Sequence, residues 1–297
     1  MRTAAIGIGS NSLRMLIADI EGNELHRLKR YREGLRVFAA LDQNGNISDE
    51  MLAKACESVR GFVEQAHGEG AKSVHLFATS AVRDASNQAE LTQRLRRETG
   101  LTLEICSGDE EAKLSFFGAT GGEFSGLIDI GGGSTEIAIG CGTSLDFSVS
   151  LQMGAVRLYR VHPIQSVGDA DEVVELATGV LSTCKSDVLA APCSRWVGVG
   201  GTFTTTAALV QQIPYEQREH IHGFMLTPAN VRLAMEHLAP MPYEKRLKLP
   251  YLQPQRADIV VHGIAILYAC MRELRIREIM VSECGNLEGY LKQKYIL

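Results

Sequence analysis

The sequence predicts an α/β protein of two similar domains in tandem, with a ligand-binding cleft between them. Its 297 residues suit about two domains of roughly 150 residues each. The segment IGIGSNS (6–12) returns as IDIGGGS (128–134), and a similar succession of strands and helices follows each copy. We therefore predict domains at 1–122 and 123–297, with the option that a terminal helix from about residue 285 packs back on the first. An interdomain cleft is a common position for ligand sites.

In the first domain, the pattern predicts three strands followed by alternating helices and strands. TAAIGIG (3–9) and LRMLIADI (13–20) indicate two strands around the glycine turn, and a third covers about 24–32. Ser48 is a good N-cap for a helix with apolar residues at helical spacing. The elements predicted after it are a strand at 73–80, a helix near 87–99, a strand at 101–107 and a helix opened by GDEEAKLSFF (108–117).

The same order of elements restarts at Gly126. GLIDIG (126–131) and STEIAIG (134–140) predict a second strand pair around the second turn. The elements predicted after it are a strand at 143–152, a helix at 169–190, a strand at 196–201, a helix at about 203–211, a helix begun by Thr227 and Pro228, a helix at 256–274, a strand at 278–283 and a terminal helix from Gly285.

The composition describes a soluble globular protein. Hydrophobic residues make up 45% and charged residues 22% of the chain, and the formal net charge is −5. This charge offers no basic footprint, so we expect neither a nucleic-acid nor a membrane partner. The seven cysteines are odd in number and scattered, which favours reduced thiols. With no signal-peptide pattern and a longest apolar stretch too short to span a bilayer, we expect a cytoplasmic protein.

Each copy of the repeated turn is rich in glycine and small hydroxyl residues. Without a Cβ atom, backbone N–H groups can converge on a phosphate, and serine or asparagine side chains add donors. Hairpin turns use the same residues, but two copies in register favour phosphate binding. A third glycine turn, VGVGGTF (197–203), runs into a helix whose N-terminus could meet an anion or a nucleotide. The candidate substrate-binding residues are Gly9, Ser10, Asn11, Ser12, Gly131, Gly132, Gly133, Ser134, Thr135, Gly200, Gly201 and Thr202.

Asp129 ends the buried strand of the second copy, whereas Gly7 stands at its place in the first. An ionised carboxylate there is costly unless it is paired or meets a metal. Mg²⁺ bridging to phosphate oxygens would satisfy it, with Glu136 taking part directly or through water. The alternative is a structural aspartate bonded to N–H groups of the turn. The candidate ligands for Mg²⁺ or another divalent cation are thus Asp129 and Glu136.

Three acids open the helix in SGDEEAK (107–113). Acids at a helix N-terminus are favoured by the helix dipole, which is the ordinary explanation for Asp109 and Glu110. Successive helical residues point about 100° apart, so one or two of the acids can face the cleft, and one is a candidate base. Arg83 offers planar donors for phosphate oxygens, although a surface arginine is the alternative.

Basic residues are concentrated in HRLKRYREGLR (26–36). A solvated strand edge and a basic track for a polyanion both remain open as explanations. The residues concerned are Arg27, Lys29, Arg30, Arg32 and Arg36.

These motifs resemble the exopolyphosphatase/guanosine pentaphosphate phosphohydrolase (Ppx/GppA phosphatase) family, in its short two-domain form. The resemblance covers nearly the whole chain and implies two tandem ribonuclease-H-like domains, as in the superfamily of actin, heat-shock ATPases and sugar kinases. The segments that carry it are GSNSLRMLI, ATSAVRDASN, SGDEEAKLSF, LIDIGGGSTEIAIG, SLQMGAVRL, VGGTFTTTAAL and ADIVVHGIAIL.

The resemblance implies roles for particular residues. Glu111 matches the family's water-activating base, Asp129 its acid at the second phosphate turn, and Arg83 its arginine near the phosphates. Family members usually carry an aspartate where this chain has Gly7, which leaves metal use and full catalytic rate open.

The function implied is hydrolysis of phosphoanhydride bonds in polyphosphate, guanosine pentaphosphate or both. Two alternatives stay open: a phosphate, polyphosphate or nucleotide sensor weakened in catalysis by Gly7, and an ATP-using enzyme of the same superfamily in which GVGGTF holds adenosine. A polyphosphate or guanosine polyphosphate is the expected partner, and a homodimer is left open.

Overall fold

The structure is a computed structural model that describes residues 1–191, 193–217 and 220–297. It divides into two units. Unit 1 comprises Met1–Gly118 and Asn286–Leu297, and unit 2 comprises Ala119–Gly285. Each unit contains one mixed β-sheet with helices packed against it.

The strands of both units range from two to eleven residues, and their burial varies from complete to largely exposed. In chain order they are β1 (Arg2–Ile8), β2 (Ser12–Glu21), β3 (Glu24–Gly34), β4 (Ser73–Ala78), β5 (Leu103–Ile105), β6 (Ser125–Ile130), β7 (Thr135–Cys141), β8 (Ser144–Leu151), β9 (Trp196–Val199), β10 (Met225–Leu226) and β11 (Ile279–Ser282).

The helices fill the connections between the strands. They are α1 (Asp49–Gly68), α2 (Ser80–Arg83), α3 (Gln88–Thr99), α4 (Gly108–Ala119), α5 (Ala155–Val161), α6 (Val167–Leu181), α7 (Lys185–Ala190), α8 (Gly201–Gln211), α9 (Pro228–Leu238), α10 (Tyr243–Arg246), α11 (Val260–Glu273) and α12 (Asn286–Tyr295), with 3-10 turns at Val37–Ala40 and Pro254–Arg256.

The two sheets repeat one strand order. In unit 1 the order is β3-β2-β1-β4-β5, and in unit 2 the strands β8-β7-β6-β9-β11 repeat it, with β10 added at the edge. In each sheet the first three strands pair antiparallel, and the next two join in parallel. Parallel neighbours need crossover connections, which the helices supply. The predicted α/β class with two similar sheets is confirmed.

Helix α1 begins where the sequence places its cap. The Ser48 hydroxyl accepts a hydrogen bond from the Met51 N–H at 3.3 Å, and Asp49 and Glu50 lie in the first turn, where the helix dipole favours acids. The helix packs on β1 and β2 and fills one face of the first sheet.

Helix α12 covers the other face of the first sheet. Its Leu287, Tyr290 and Leu291 are buried in one apolar cluster with residues of β1, β2 and β4. Gly289 allows this approach, because a Cβ atom there would overlap the carbonyl of Leu114 in α4. The C-terminal residues therefore belong to unit 1, far in sequence from the rest of it.

Two predicted helices are wrong in their extent, and three helices, α2, α5 and α10, were not predicted. The helix predicted at 169–190 is α6 followed by α7, interrupted at 182–184. The helix predicted at 256–274 begins at Val260, since a 3-10 turn precedes it. Helix α5 was not predicted, because its seven residues are too few for a helical period to show. Within the described ranges, every helix is too short or too polar to cross a lipid bilayer.

Candidate active site

The two glycine turns close with the same hydrogen bond. The Gly9 N–H donates to the Ser12 carbonyl at 3.0 Å, and the Gly131 N–H donates to the Ser134 carbonyl at 3.0 Å. The first turn joins β1 to β2, and the second joins β6 to β7. The repeat in the sequence is therefore a repeat of backbone structure.

The first turn presents a buried amide. The backbone carbonyl of Asn11 accepts hydrogen bonds from the N–H groups of Leu35 and Arg36, which anchor the turn. The Asn11 side chain is 6% exposed, and neither of its polar atoms has a hydrogen-bond partner among the described residues. Ser10 differs, because its hydroxyl lies 2.8 Å from that of Ser80 at the start of α2. A buried amide without a partner is costly, and a ligand oxygen would satisfy its donor.

Helix α5 is hydrogen-bonded to the backbone of the second turn. The N–H groups of Ala155 and Val156 donate to the carbonyls of Gly131 and Gly132 at 3.0 and 2.9 Å. Gly154 permits this contact, because a Cβ atom there would overlap the backbone of Gly132. Helix α5, which was not predicted, thus fixes the shape of the turn.

The two hydroxyl residues of the second turn differ. Thr135 donates its hydroxyl to the Met153 carbonyl and is engaged within the protein. The Ser134 side chain is 1% exposed, and its oxygen has no hydrogen-bond partner in the described part of the chain. Ser134 is therefore the hydroxyl that remains for a ligand.

Asp129 and Glu136 are direct neighbours across β6 and β7. Residues opposite each other on antiparallel strands share one face of the sheet. Asp129 is 9% exposed and Glu136 is fully buried, with its Oε1 accepting a hydrogen bond from the Ser150 hydroxyl at 2.8 Å. Carboxylate oxygens on one face of the sheet are the type of ligand that a hard divalent cation prefers.

This donor set fits Mg²⁺. That ion is usually held by one or two carboxylates together with phosphate oxygens and water. Among the described residues no cluster of three or more histidine, cysteine or acidic side chains suits a metal. An ion held by Asp129 and Glu136 would leave coordination positions for phosphate oxygens and water.

The third glycine turn lies close to two charged side chains, those of Asp129 and Arg256. Gly200 has a φ of 91°, and a Cβ atom there would lie 2.9 Å from Oδ1 of Asp129. A Cβ atom on Gly201 would overlap the guanidinium of Arg256. Thr202 follows as a buried residue of α8. Arg256 was missed, although an Arg-Ala-Asp sequence just before a long apolar helix was a signal that could have found it.

Arg83 and Glu111 form a partly buried ion pair in unit 1. Nη1 of Arg83 lies 3.0 Å from Oε2 of Glu111 and also donates to the Cys106 carbonyl at 3.0 Å. Glu111 is 6% exposed. Nη2 of Arg83 is buried and has no hydrogen-bond partner among the described residues. The predicted base and the predicted phosphate-binding arginine thus lie together, with one guanidinium nitrogen left for a ligand.

Glu110 has a different environment from Glu111. Its carboxylate accepts a hydrogen bond from the Ser107 N–H at 2.7 Å, and its own N–H donates to the Ser107 hydroxyl at 3.2 Å. The bond from the Ser107 backbone is the main reason that the pKa of Glu110 lies below its usual value. Glu110 therefore caps α4, as the helix-dipole interpretation expects.

Gly7 and Asp129 occupy equivalent positions in the two sheets. Gly7 of β1 lies beside Phe77 of β4 in the parallel register, and Asp129 of β6 lies beside Val199 of β9. The first sheet therefore has a glycine at the position where the second sheet has an aspartate.

Comparison with known proteins decides the family. The family model described as the Ppx/GppA phosphatase family matches residues 16–295. The chain belongs to this family.

Relatives of this Ppx/GppA phosphatase family member agree in length and fold. Exopolyphosphatase 2 of Mycobacterium tuberculosis is 32% identical over 313 residues, covering 97% of each chain. The exopolyphosphatase structure from Cytophaga hutchinsonii has a TM-score of 0.89 at 25% identity and covers 99% of this chain and 98% of its own. The PPX-GPPA enzyme of Aquifex aeolicus has a TM-score of 0.83 at 26% identity, with 99% of both chains covered. The two units have the predicted ribonuclease-H-like fold, which they share with these Ppx/GppA structures.

Proposed function

We propose that this protein hydrolyses terminal phosphoanhydride bonds and releases phosphate from inorganic polyphosphate, from guanosine pentaphosphate or from both. The single observation that carries the proposal is the partly buried ion pair of Glu111 with Arg83, beside a neighbouring acid that only caps its helix. The family and the exopolyphosphatases similar to this chain support polyphosphate as a substrate.

In the proposed reaction, Glu111 orients a water molecule and accepts its proton. The water oxygen attacks the terminal phosphorus in line, the bridging P–O bond breaks, and the electron pair leaves with the shortened chain. The positive charge of Arg83 favours the ionised form of the Glu111 carboxylate, which is 6% exposed. An ionised carboxylate is the form that can take the proton.

Arg83 has a second role in this proposal. Its Nη1 is bonded to Glu111, while its buried Nη2 can donate to a non-bridging oxygen of the transferring group. A charge-assisted bond from a preorganised guanidinium stabilises the charge on that group in the transition state.

The glycine turns bind phosphates in this account. The turn of unit 1 carries the buried Asn11 amide, and the turn of unit 2 carries the buried Ser134 hydroxyl. Both turns offer backbone N–H groups where no Cβ atom hinders an oxyanion. In this proposal, the Asn11 amide and the Ser134 hydroxyl form hydrogen bonds with phosphate oxygens of the substrate.

Asp129 and Glu136 would hold a divalent cation, with Mg²⁺ as the proposed ion. When bound, Mg²⁺ neutralises charge on phosphate oxygens. Gly200 keeps the space beside Asp129 Oδ1 open, because any side chain at that position would contact the carboxylate.

The proposal is tested by measuring phosphate release from polyphosphate, guanosine pentaphosphate and ATP, each with and without Mg²⁺. We expect release from at least one of the first two substrates, at a higher rate with Mg²⁺. Tight binding of polyphosphate without release would support a sensor instead. Release from ATP alone would support an ATP-using enzyme of the superfamily.

A further inference from the structure

A row of arginines lies on one face of the first sheet. In the antiparallel register of β2 and β3, Arg32 lies opposite Arg14, Arg30 opposite Leu16, and Arg27 opposite Ala18. Cross-strand partners share a face, and a register irregularity at Ile17/Ala18 keeps Arg27 on the same face as Arg30. We call Arg14, Arg27, Arg30 and Arg32 the arginine row.

The opposite face of β3 is different in character. Lys29 pairs with Glu69 at 2.9 Å, and the Tyr31 ring packs near Phe62 of α1 at 6.5 Å between centroids. The Ser58 hydroxyl of α1 donates to Glu33. Side chains on this face are therefore occupied by contacts with α1.

The arginine row begins at the first glycine turn. Nη2 of Arg14 lies 3.9 Å from the Cβ position of Gly9, the first residue of that turn, and donates to Oδ1 of Asn286 at 3.2 Å. From Arg32 to Arg27 the row continues along β3 for about 15 Å, at roughly 3.3 Å per residue. A positive surface thus leads away from a turn assigned to phosphate.

The row lies on the face of the sheet that α12 covers, and most of it remains exposed. Arg30 pairs with the buried Glu288 of α12, yet Arg27, Arg30 and Arg32 all remain exposed to solvent. The spacing of the exposed arginines allows an extended anion to bind several guanidinium groups at once.

We propose that the arginine row binds the part of a polyphosphate chain that extends beyond the phosphates held by the first glycine turn. The proposal rests on the proposed function and adds a preference for long chains over short ones. A single-stranded nucleic acid is disfavoured, because such sites combine basic groups with aromatic rings for base stacking. The aromatic residue of this strand, Tyr31, lies on the other face against Phe62.

The test compares two double variants. Arg27→Gln/Arg32→Gln removes two charges from the row and leaves Arg30, whose loss would strand the buried Glu288. Lys29→Gln/Arg60→Gln removes two exposed charges from the opposite face, on β3 and α1. Thermal melting of both variants checks that they are folded.

The readout is the ratio of kcat/KM for long-chain polyphosphate to kcat/KM for tripolyphosphate. We expect this ratio to fall about tenfold in Arg27→Gln/Arg32→Gln, because two exposed charge contacts are lost. The ratio should stay at the wild-type value in Lys29→Gln/Arg60→Gln. An unchanged ratio in the row variant, or an equal fall in both, would overturn the proposal.

Equilibrium binding separates this proposal from the hydrolysis proposal. If the wild type releases no phosphate from either polyphosphate, the proposed hydrolysis is wrong, and the ratio of the two affinities by calorimetry still tests the row. The affinity ratio should then fall in the row variant alone. If an oligouridylate binds as tightly as long-chain polyphosphate and loses the same affinity in the row variant, the row is a nucleic-acid site and the proposal fails.

Discussion

Phe77 occupies the space that a side chain at Gly7 would need. Its Cζ atom lies 2.9 Å from the Cβ position of Gly7, and its ring is fully buried and stacked on Tyr290 with centroids 4.8 Å apart. In unit 2 the equivalent neighbour of Asp129 is Val199, which is smaller. The loss of the acid in the first sheet and the presence of an aromatic pair beside it are thus one structural feature.

We predict that Gly7→Asp is destabilising alone and tolerated better together with Phe77→Val. The single substitution overpacks a buried strand and buries a charge, so it should lower the free energy of unfolding by about 3 kcal/mol. Phe77→Val recreates the neighbour found in unit 2, at the cost of a cavity beside Tyr290. Urea denaturation of the two single variants and the double variant measures the coupling between the positions.

If the loss of stability in the double variant equals the sum of the losses in the two single variants, the Phe77 ring and the new aspartate side chain do not compete for space. If the double variant folds, its melting temperature should rise more with added Mg²⁺ than that of Phe77→Val alone. That single variant is the matched control, since it carries the same cavity without the new carboxylate.

Ser134→Ala should separate binding from stability. The hydroxyl has no protein partner among the described residues, so the free energy of unfolding should change by less than about 0.5 kcal/mol. The KM for polyphosphate should rise about tenfold, because a hydrogen bond to a charged group contributes about 1.5 kcal/mol or more. Thr135→Val should instead lower stability by about 1 kcal/mol through its lost bond to the Met153 carbonyl. A destabilised Ser134→Ala protein with an unchanged KM would contradict this assignment.

His262 should make unit 2 less stable at mildly acidic pH. Burial is the main reason that the pKa of His262 falls from 6.5 to about 4, and its Nε2 bonds to the His162 carbonyl at 2.8 Å. Between these pH values the unfolded chain binds a proton that the folded protein does not. Stability is therefore fully present above about pH 6.5 and falls as the pH drops towards 4, by up to about 1.4 kcal/mol per pH unit.

His262→Gln keeps a donor for the His162 carbonyl and removes this titration. Its stability should depend less on pH between 6.5 and 4 than that of the wild type. Trp196 is the single tryptophan of the chain and lies in β9, so intrinsic fluorescence follows the unfolding of unit 2. If the stability of the two proteins falls equally between pH 6.5 and 4, His262 is not the group that causes the loss of stability.

Most of the fold could be predicted because its signals are local. The glycine repeat, the alternation of strands and helices and the Ser48 cap are all visible in the sequence, and each corresponds to an observed element. Helix α5 could not be predicted in the same way, since its position depends on hydrogen bonds to the carbonyls of Gly131 and Gly132, which only the folded turn presents.

The site shows the same division between local and tertiary signals. Spacing alone could not separate Glu110 from Glu111, because both open the same helix; the family resemblance singled out Glu111. In the structure, Glu110 accepts a hydrogen bond from the Ser107 N–H at the start of its own helix, whereas Glu111 pairs with Arg83, which lies 28 residues earlier. Arg256 was missed for a related reason, because its contact with Gly201 joins two distant segments.

The proposed hydrolysis depends most directly on Glu111. The decisive measurement is steady-state phosphate release from polyphosphate by the wild type, Glu111→Gln and Glu110→Gln, with thermal melting to check the fold. Glu111→Gln removes the proposed proton acceptor and should lower kcat about 100-fold or more, with KM within about twofold of the wild type. Glu110→Gln keeps an oxygen that can accept from the Ser107 N–H, so kcat should stay within about twofold of the wild type. Equal losses in the two variants, or a larger loss in Glu110→Gln, would contradict the account.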